Sequence, residues 1–152
     1  MCSELDYVLE RNTTVNDMEI IKKKFETRGN EKGVLTFLEA NRDIGFSIQR
    51  SYYIYNVAPG ERRGFHAHKK LQQVLICIHG SCKVLLDDGK DSAIVELTDP
   101  AEGLFVGNAI WREMFDFSPG AVLLVLASEY YDEADYIRNY QDFLAYLEEK
   151  EK

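Results

Sequence analysis

Two histidines one residue apart, His66 and His68, stand in the run "RRGFHAHKKLQQ" from Arg62 to Gln73. Side chains on a strand alternate with period two, so both imidazoles face one side and Ala67 faces the other. Imidazoles placed side by side can ligate a transition metal, or they can carry protons near neutral pH. The neighbours decide between these chemistries. Gln73 follows on the same segment, and a neutral amide is a poorer ligand than a carboxylate. Arg112, in "GLFVGNAIWRE", stays protonated and repels a divalent cation. Catalytic metal centres ordinarily hold three protein ligands, and two histidines alone fall short. The residues predict a site with no metal and no cofactor, in which His66 and His68 move protons.

Gly60, His66, His68, Gln73 and Gly80 resemble, in order and spacing, the first motif of the cupin barrel. In that motif a glutamate ligand ordinarily holds the place of Gln73, and the second motif ends in a histidine ligand where Arg112 stands. Both departures point away from a metal.

Charge is unevenly distributed along the chain. Between Arg50 and Lys70 there are five bases (Arg50, Arg62, Arg63, Lys69, Lys70) and one acid, Glu61, although the whole chain carries a net charge of −8. An acidic protein with a local basic cluster suits a small anionic ligand and excludes nonspecific nucleic-acid binding. Guanidinium groups match phosphate oxygens bidentately. Arg50 and Arg63 are the first candidates for a phosphate, with Lys69 behind them. Tyr52 shares a strand face with Arg50, whereas Tyr53 and Tyr55 face packing or a dimer contact. Trp111 is assigned to barrel packing.

These residues need elements to position them. At 152 residues the chain fits a single domain, 1–152, with room for a proper core. "RSYYIYNV", "QVLICI", "CKVLLDDGK", "SAIVELTDP", "GLFVGNAIW" and "AVLLVLAS" read as short strands divided by turn signals. About eight strands without intervening helices predict an all-β sandwich or closed barrel. One helix is expected, over "EADYIRNYQDFLAYLEEK", from the spacing of Tyr136, Tyr140, Phe143 and Leu147. No apolar run is long enough to span a membrane, and the N-terminus has no apolar signal segment. Cys2, Cys77 and Cys82 lack metal spacing and read as reduced thiols of a cytoplasmic protein.

Three blocks, "RRGFHAHKKLQQVLICIHGSCKVLLDDG", "IWREMFDFS" and "AVLLVLASEYYDEADYIRNYQDF", closely resemble the WxcM-like sugar 3,4-ketoisomerases. The resemblance runs from about Val34 to Leu144 and leaves 1–30 as a poorly matched N-terminal extension. It implies a cupin fold, a double-stranded β-helix or jelly-roll barrel with a short C-terminal α-helix. It also implies a metal-free enzyme acting on dTDP-4-keto-6-deoxy-D-glucose, with His66 and His68 as proton carriers. Arg50, Tyr52, Arg63, Lys69, Gln73 and Arg112 then bind substrate and nucleotide. A homodimer exchanging an N-terminal strand is implied, as is a product destined for 3-amino-3,6-dideoxy sugars of surface glycans, lipopolysaccharide O-antigen among them. Arginine rather than histidine at position 112 leans toward the gluco product. The rival readings are a dTDP-sugar 3,5-epimerase, a non-catalytic sugar-nucleotide-binding cupin and a metal-dependent cupin oxygenase.

Overall fold

Two five-stranded antiparallel sheets face each other in a computed structural model that describes residues 18–152. In chain order the strands are β1 (Ile21–Lys24), β2 (Glu26–Asn30), β3 (Gly33–Phe37), β4 (Arg50–Tyr55), β5 (Arg63–His68) and β6 (Gln73–His79). They continue with β7 (Cys82–Asp87), β8 (Ser92–Leu97), β9 (Glu102–Val106), β10 (Trp111–Phe115), β11 (Val122–Ala127) and β12 (Tyr136–Ile137). The first sheet runs β1-β9-β6-β11-β4 and the second β12-β5-β10-β7-β8, while β2 and β3 form a separate hairpin. The helix α1, Tyr140–Lys150, closes the chain. This is the expected all-β barrel with its C-terminal helix.

The barrel interior follows from alternation. Leu75 and Cys77 of β6, Val84 and Leu86 of β7, Leu104 and Val106 of β9, and Leu123 and Val125 of β11 make one buried cluster. The outer face of the first sheet is covered by Phe25 and by Ile44 with its neighbours Leu38, Phe46 and Ile48. On the outer face of the second sheet, Ala67 and Trp111 pack beneath Phe143 of α1. Trp111 therefore packs outside the barrel, with its ring centroid 5.4 Å from that of Tyr140 and its indole N–H donating to Glu113 at 3.0 Å. The β7–β8 turn meets the same helix: a side chain at Gly89 (φ 92°) would strike Leu147.

Two sequence expectations are corrected. The twelve strand segments among the described residues exceed the eight expected, because β1, β2, β3 and β12 are short or polar. β1 reads Ile-Lys-Lys-Lys and is held by backbone pairing to β9 rather than by an apolar face. The helix also starts later than its apolar spacing indicates. Asn139 caps it by accepting from the Asp142 amide at 3.1 Å, whereas Tyr136 is a strand residue opposite His68. Of the 1–30 extension, residues 1–17, with Cys2, lie outside the described residues, and β1 and β2 fall within the remainder.

Candidate active site

A break in the alternation of β5 builds the site. Arg63 and His66 are three residues apart, so on a regular strand they would face opposite sides. Opposite β5, Arg112 pairs with His66, Glu113 with Gly64 and Met114 with Arg63, which leaves Phe65 as an extra, unpaired residue. Gly64 at φ 95° and Phe65 at φ 58° carry this bulge. A side chain at Gly64 would lie 2.9 Å from the Arg112 carbonyl, so only glycine admits this approach. The bulge re-aims one side chain: Arg63 and His66 now line one cavity of about 460 Å³ together with Arg50, Tyr52, Tyr136 and Arg138.

His66 and His68 meet edge to face with centroids 4.9 Å apart, and the Tyr136 ring lies 5.1 and 4.3 Å from them. His68 is fully buried. Its Nδ1 lies 3.1 Å from a carboxylate oxygen of Asp135, while its Nε2 and both ring nitrogens of His66 are buried without a protein partner. Burial, then the charge of Arg112, lowers His66 to about 4 and His68 to about 2. Both imidazoles are therefore neutral at physiological pH, with lone pairs free to accept protons.

Behind them lies a polar chain. Arg112, itself fully enclosed, donates to the Gln73 carbonyl oxygen and, at 2.9 Å, to the Ile110 carbonyl; its Nε is buried and unpartnered. Burial lowers this guanidinium to about 10, which leaves it cationic at neutral pH. The Gln73 amide NH₂ donates to the Tyr52 hydroxyl oxygen at 3.0 Å. Burial pushes the Tyr52 phenol up, so it keeps its proton and can donate it into the cavity. A glutamate at position 73 could accept from Arg112 but could not donate to Tyr52. Among the described residues, no three His, Cys, Asp or Glu side chains converge as metal ligands.

The mouth is cationic and aromatic. Arg50 lies 5.3 Å from the Tyr52 ring and 5.5 Å from that of Tyr131, with Nε and one Nη buried and unpartnered. Arg138 lies 4.2 Å from the Tyr136 ring and makes two hydrogen bonds to Glu133, at 2.7 and 3.0 Å. The structure thus brings together His66, His68, Arg50, Tyr52, Arg63, Gln73 and Arg112. Lys69 stands apart, its ammonium 5.9 Å from the Tyr146 ring of α1 and outside the cavity lining. Asp135, Tyr136 and Arg138 were not singled out from sequence. Their signal was the density of tyrosine and charge in "SEYYDEADYIR", which the helical spacing of Tyr136 concealed.

Comparison with known proteins places this geometry. Residues 12–148 match the family model described as FdtA: WxcM-like, C-terminal. A TDP-4-oxo-6-deoxy-alpha-D-glucose-3,4-oxoisomerase from Aneurinibacillus thermoaerophilus is 53% identical over 126 residues, 83% of this chain and 88% of the relative. The crystal structure of a sugar 3,4-ketoisomerase from Thermoanaerobacterium thermosaccharolyticum, in complex with TDP, superposes with a TM-score of 0.84 at 50% identity, covering 86% of this chain and 96% of that one. A TDP-quinovose 3,4-ketoisomerase from Campylobacter jejuni gives 0.79 at 47% identity over 83% of this chain and 97% of its own. A dTDP-4-dehydrorhamnose 3,5-epimerase from Bacillus anthracis, 16% identical over 77% of this chain and 76% of its own with a TM-score of 0.67, shares the fold alone.

Proposed function

This chain belongs to the WxcM-like family of FdtA, and from that premise we propose that it is a sugar-nucleotide 3,4-ketoisomerase converting dTDP-4-keto-6-deoxy-D-glucose to a dTDP-3-keto-6-deoxyhexose. The observation that carries the reading is a pair of buried, neutral imidazoles with unpartnered nitrogens beside the buried cation of Arg112. The C3 hydrogen of the substrate is acidic because it lies alpha to the C4 ketone. A neutral imidazole removes it, and the electron pair moves to O4. Arg112 and the Tyr52 hydroxyl stabilise that oxyanion from fixed positions. O4 takes up a proton to give the enediol, which then gains a proton at C4 and loses one from O3, leaving a ketone at C3 and a hydroxyl at C4. No proton is gained or lost overall, and no metal or cofactor enters the cycle.

Arg50 and Arg63, at the cavity mouth, hold the pyrophosphate. The unpaired Nε and Nη of Arg50 support that role. Lys69, placed over Tyr146, would bind nucleotide only by leaving that ring. Arginine at position 112 supports the gluco product through the family resemblance. The 3,5-epimerase is at most a distant relative at 16% identity.

We infer further that the protein is a homodimer. β4 ends its sheet, leaving one row of backbone groups unpaired by any described strand, and Tyr53 and Tyr55 beside it are exposed. Val34 and Leu35 of the β2–β3 hairpin are exposed as well and suit the strand exchange that the family resemblance implies. No helix among the described residues is long and apolar enough to cross a membrane. The free thiols Cys77 and Cys82 support a cytoplasmic site of action.

The test is proton NMR of the product made by chelator-treated protein from dTDP-4-keto-6-deoxyglucose. A 3-keto sugar whose H4 couplings mark the gluco configuration is expected. Epimerisation at C5, or binding without turnover, would overturn the isomerase reading in favour of an epimerase or a binding protein.

A further inference from the structure

Tyr136 lines the cavity together with His66, and its ring is held from several sides. The Arg138 guanidinium lies 4.2 Å from the ring centroid. The rings of His68, His66 and Tyr131 stand 4.3, 5.1 and 5.6 Å away. Pairing of β12 with β5 places the Tyr136 backbone opposite His68, so the sheet fixes where the side chain starts. For all this packing, the Tyr136 hydroxyl makes no hydrogen bond with any described residue. The Tyr52 hydroxyl differs, because its oxygen already accepts from Gln73 at 3.0 Å. Burial lowers the Arg112 guanidinium, and the phenols of Tyr52 and Tyr136 oppose that shift, which requires both phenolic oxygens to lie near Arg112.

Migration of a ketone needs donors at two oxygens. Negative charge forms on O4 when C3 gives up its proton, and on O3 when that oxygen loses its proton and C4 gains one. Each half of the reaction is faster if a fixed donor already faces the oxygen that becomes charged. Arg112 and Tyr52 serve O4. Tyr52 comes from β4 in the first sheet and Tyr136 from β12 in the second, so the two phenols reach the cavity from different walls. They can therefore address neighbouring oxygens of one sugar ring. We propose that Tyr136 is a further catalytic residue, whose hydroxyl donates a hydrogen bond to O3 and stabilises the charge that forms there in the second half of the isomerisation. The role rests on the reading of this chain as a 3,4-ketoisomerase. The phenol keeps its proton throughout, so the balance of the reaction is unchanged.

The test is Tyr136→Phe in the full, chelator-treated chain, with dTDP-4-keto-6-deoxyglucose in D₂O followed by proton NMR. The substitution removes only a hydroxyl that no described residue uses, so the variant should fold with an unchanged Tm. Formation of the 3-keto product should fall by about 10²-fold, with KM within about threefold. The first half should survive: the enediol forms, returns to substrate, and leaves deuterium at C3 of the recovered 4-keto sugar. Tyr52→Phe, by contrast, should slow C3 exchange and product formation together. A Tyr136→Phe protein that makes product at the wild-type rate would overturn the proposal and show that Arg112 serves both oxygens. A slowed variant whose recovered substrate carries no deuterium at C3 would also overturn it, since the hydroxyl would then act before the enediol. An unfolded variant would make the hydroxyl structural and overturn it equally. A wild-type protein that gives neither product nor exchange at C3 would sink the isomerase reading itself, and this role with it.

Discussion

Gln73 uses both ends of its amide, accepting from Arg112 and donating to Tyr52. A glutamate could make only the first of these contacts. Gln73→Glu should keep the contact to Arg112 but turn the Tyr52 proton toward the new carboxylate and away from the substrate. On the scale of a single oxyanion donor, kcat should fall by about 10²-fold, measured by single-turnover NMR, with no metal gained by mass spectrometry. The two imidazoles give a second prediction. An unfolded histidine titrates near 6.5, whereas burial, then Arg112, holds His66 at about 4 and His68 at about 2. Above pH 6.5 neither state binds these protons, so their contribution to stability is level. Between 6.5 and 4 the unfolded chain binds protons that the folded chain refuses, so stability falls as the pH falls. The Tm should decline from pH 7 to 5, while kcat stays on its plateau down to about pH 5 because the bases remain neutral. An acid limb in kcat at pH 6.5 would show imidazoles titrating as if in water.

Elements decide which of these side chains meet. The bulge at Gly64 and Phe65 puts Arg63 on the His66 side, with backbone conformations that non-glycine residues adopt at a cost of roughly 1–3 kcal/mol each. Gly64→Ala should push β5 away from β10 at the Arg112 carbonyl. Substrate binding and kcat should both suffer, with thermal unfolding shifted down by several degrees, in line with about 1 kcal/mol or more. Unchanged kinetics would show that the bulge does not aim Arg63. The sequence carried the His66–His68 pair, Gln73 and Arg112 plainly, since strand parity and ligand chemistry are local properties. It carried the central strands equally well, because both their faces are apolar. It concealed the bulge, where Arg63 lies on the His66 side against strand parity. It concealed Asp135 and Tyr136 too, whose roles arise from pairing β12 with β5 across 67 residues of chain. It likewise hid β1, where backbone pairing outweighs a lysine-rich sequence.

At the scale of the whole molecule, one barrel end gathers the cations while the chain as a whole carries −8. That contrast favours a small anionic sugar nucleotide over a polyanion. The exposed Tyr53 and Tyr55, their rings 5.7 Å apart beside the open edge of β4, would form the contact of the homodimer proposed above. Sedimentation should show a dimer for the wild type and a monomer for Tyr53→Asp combined with Tyr55→Asp; a monomeric wild type would contradict this docking. The central claim is proton transfer by histidine without a metal, and solvent-isotope incorporation tests it most directly. Chelated, metal-analysed protein with dTDP-4-keto-6-deoxyglucose in D₂O should place deuterium at C4 of a 3-keto product. His66→Asn and His68→Asn, each still folded, should each slow that incorporation by roughly 10²–10⁴-fold. Incorporation at wild-type rate in both variants, or only after a divalent metal is restored, would contradict the account.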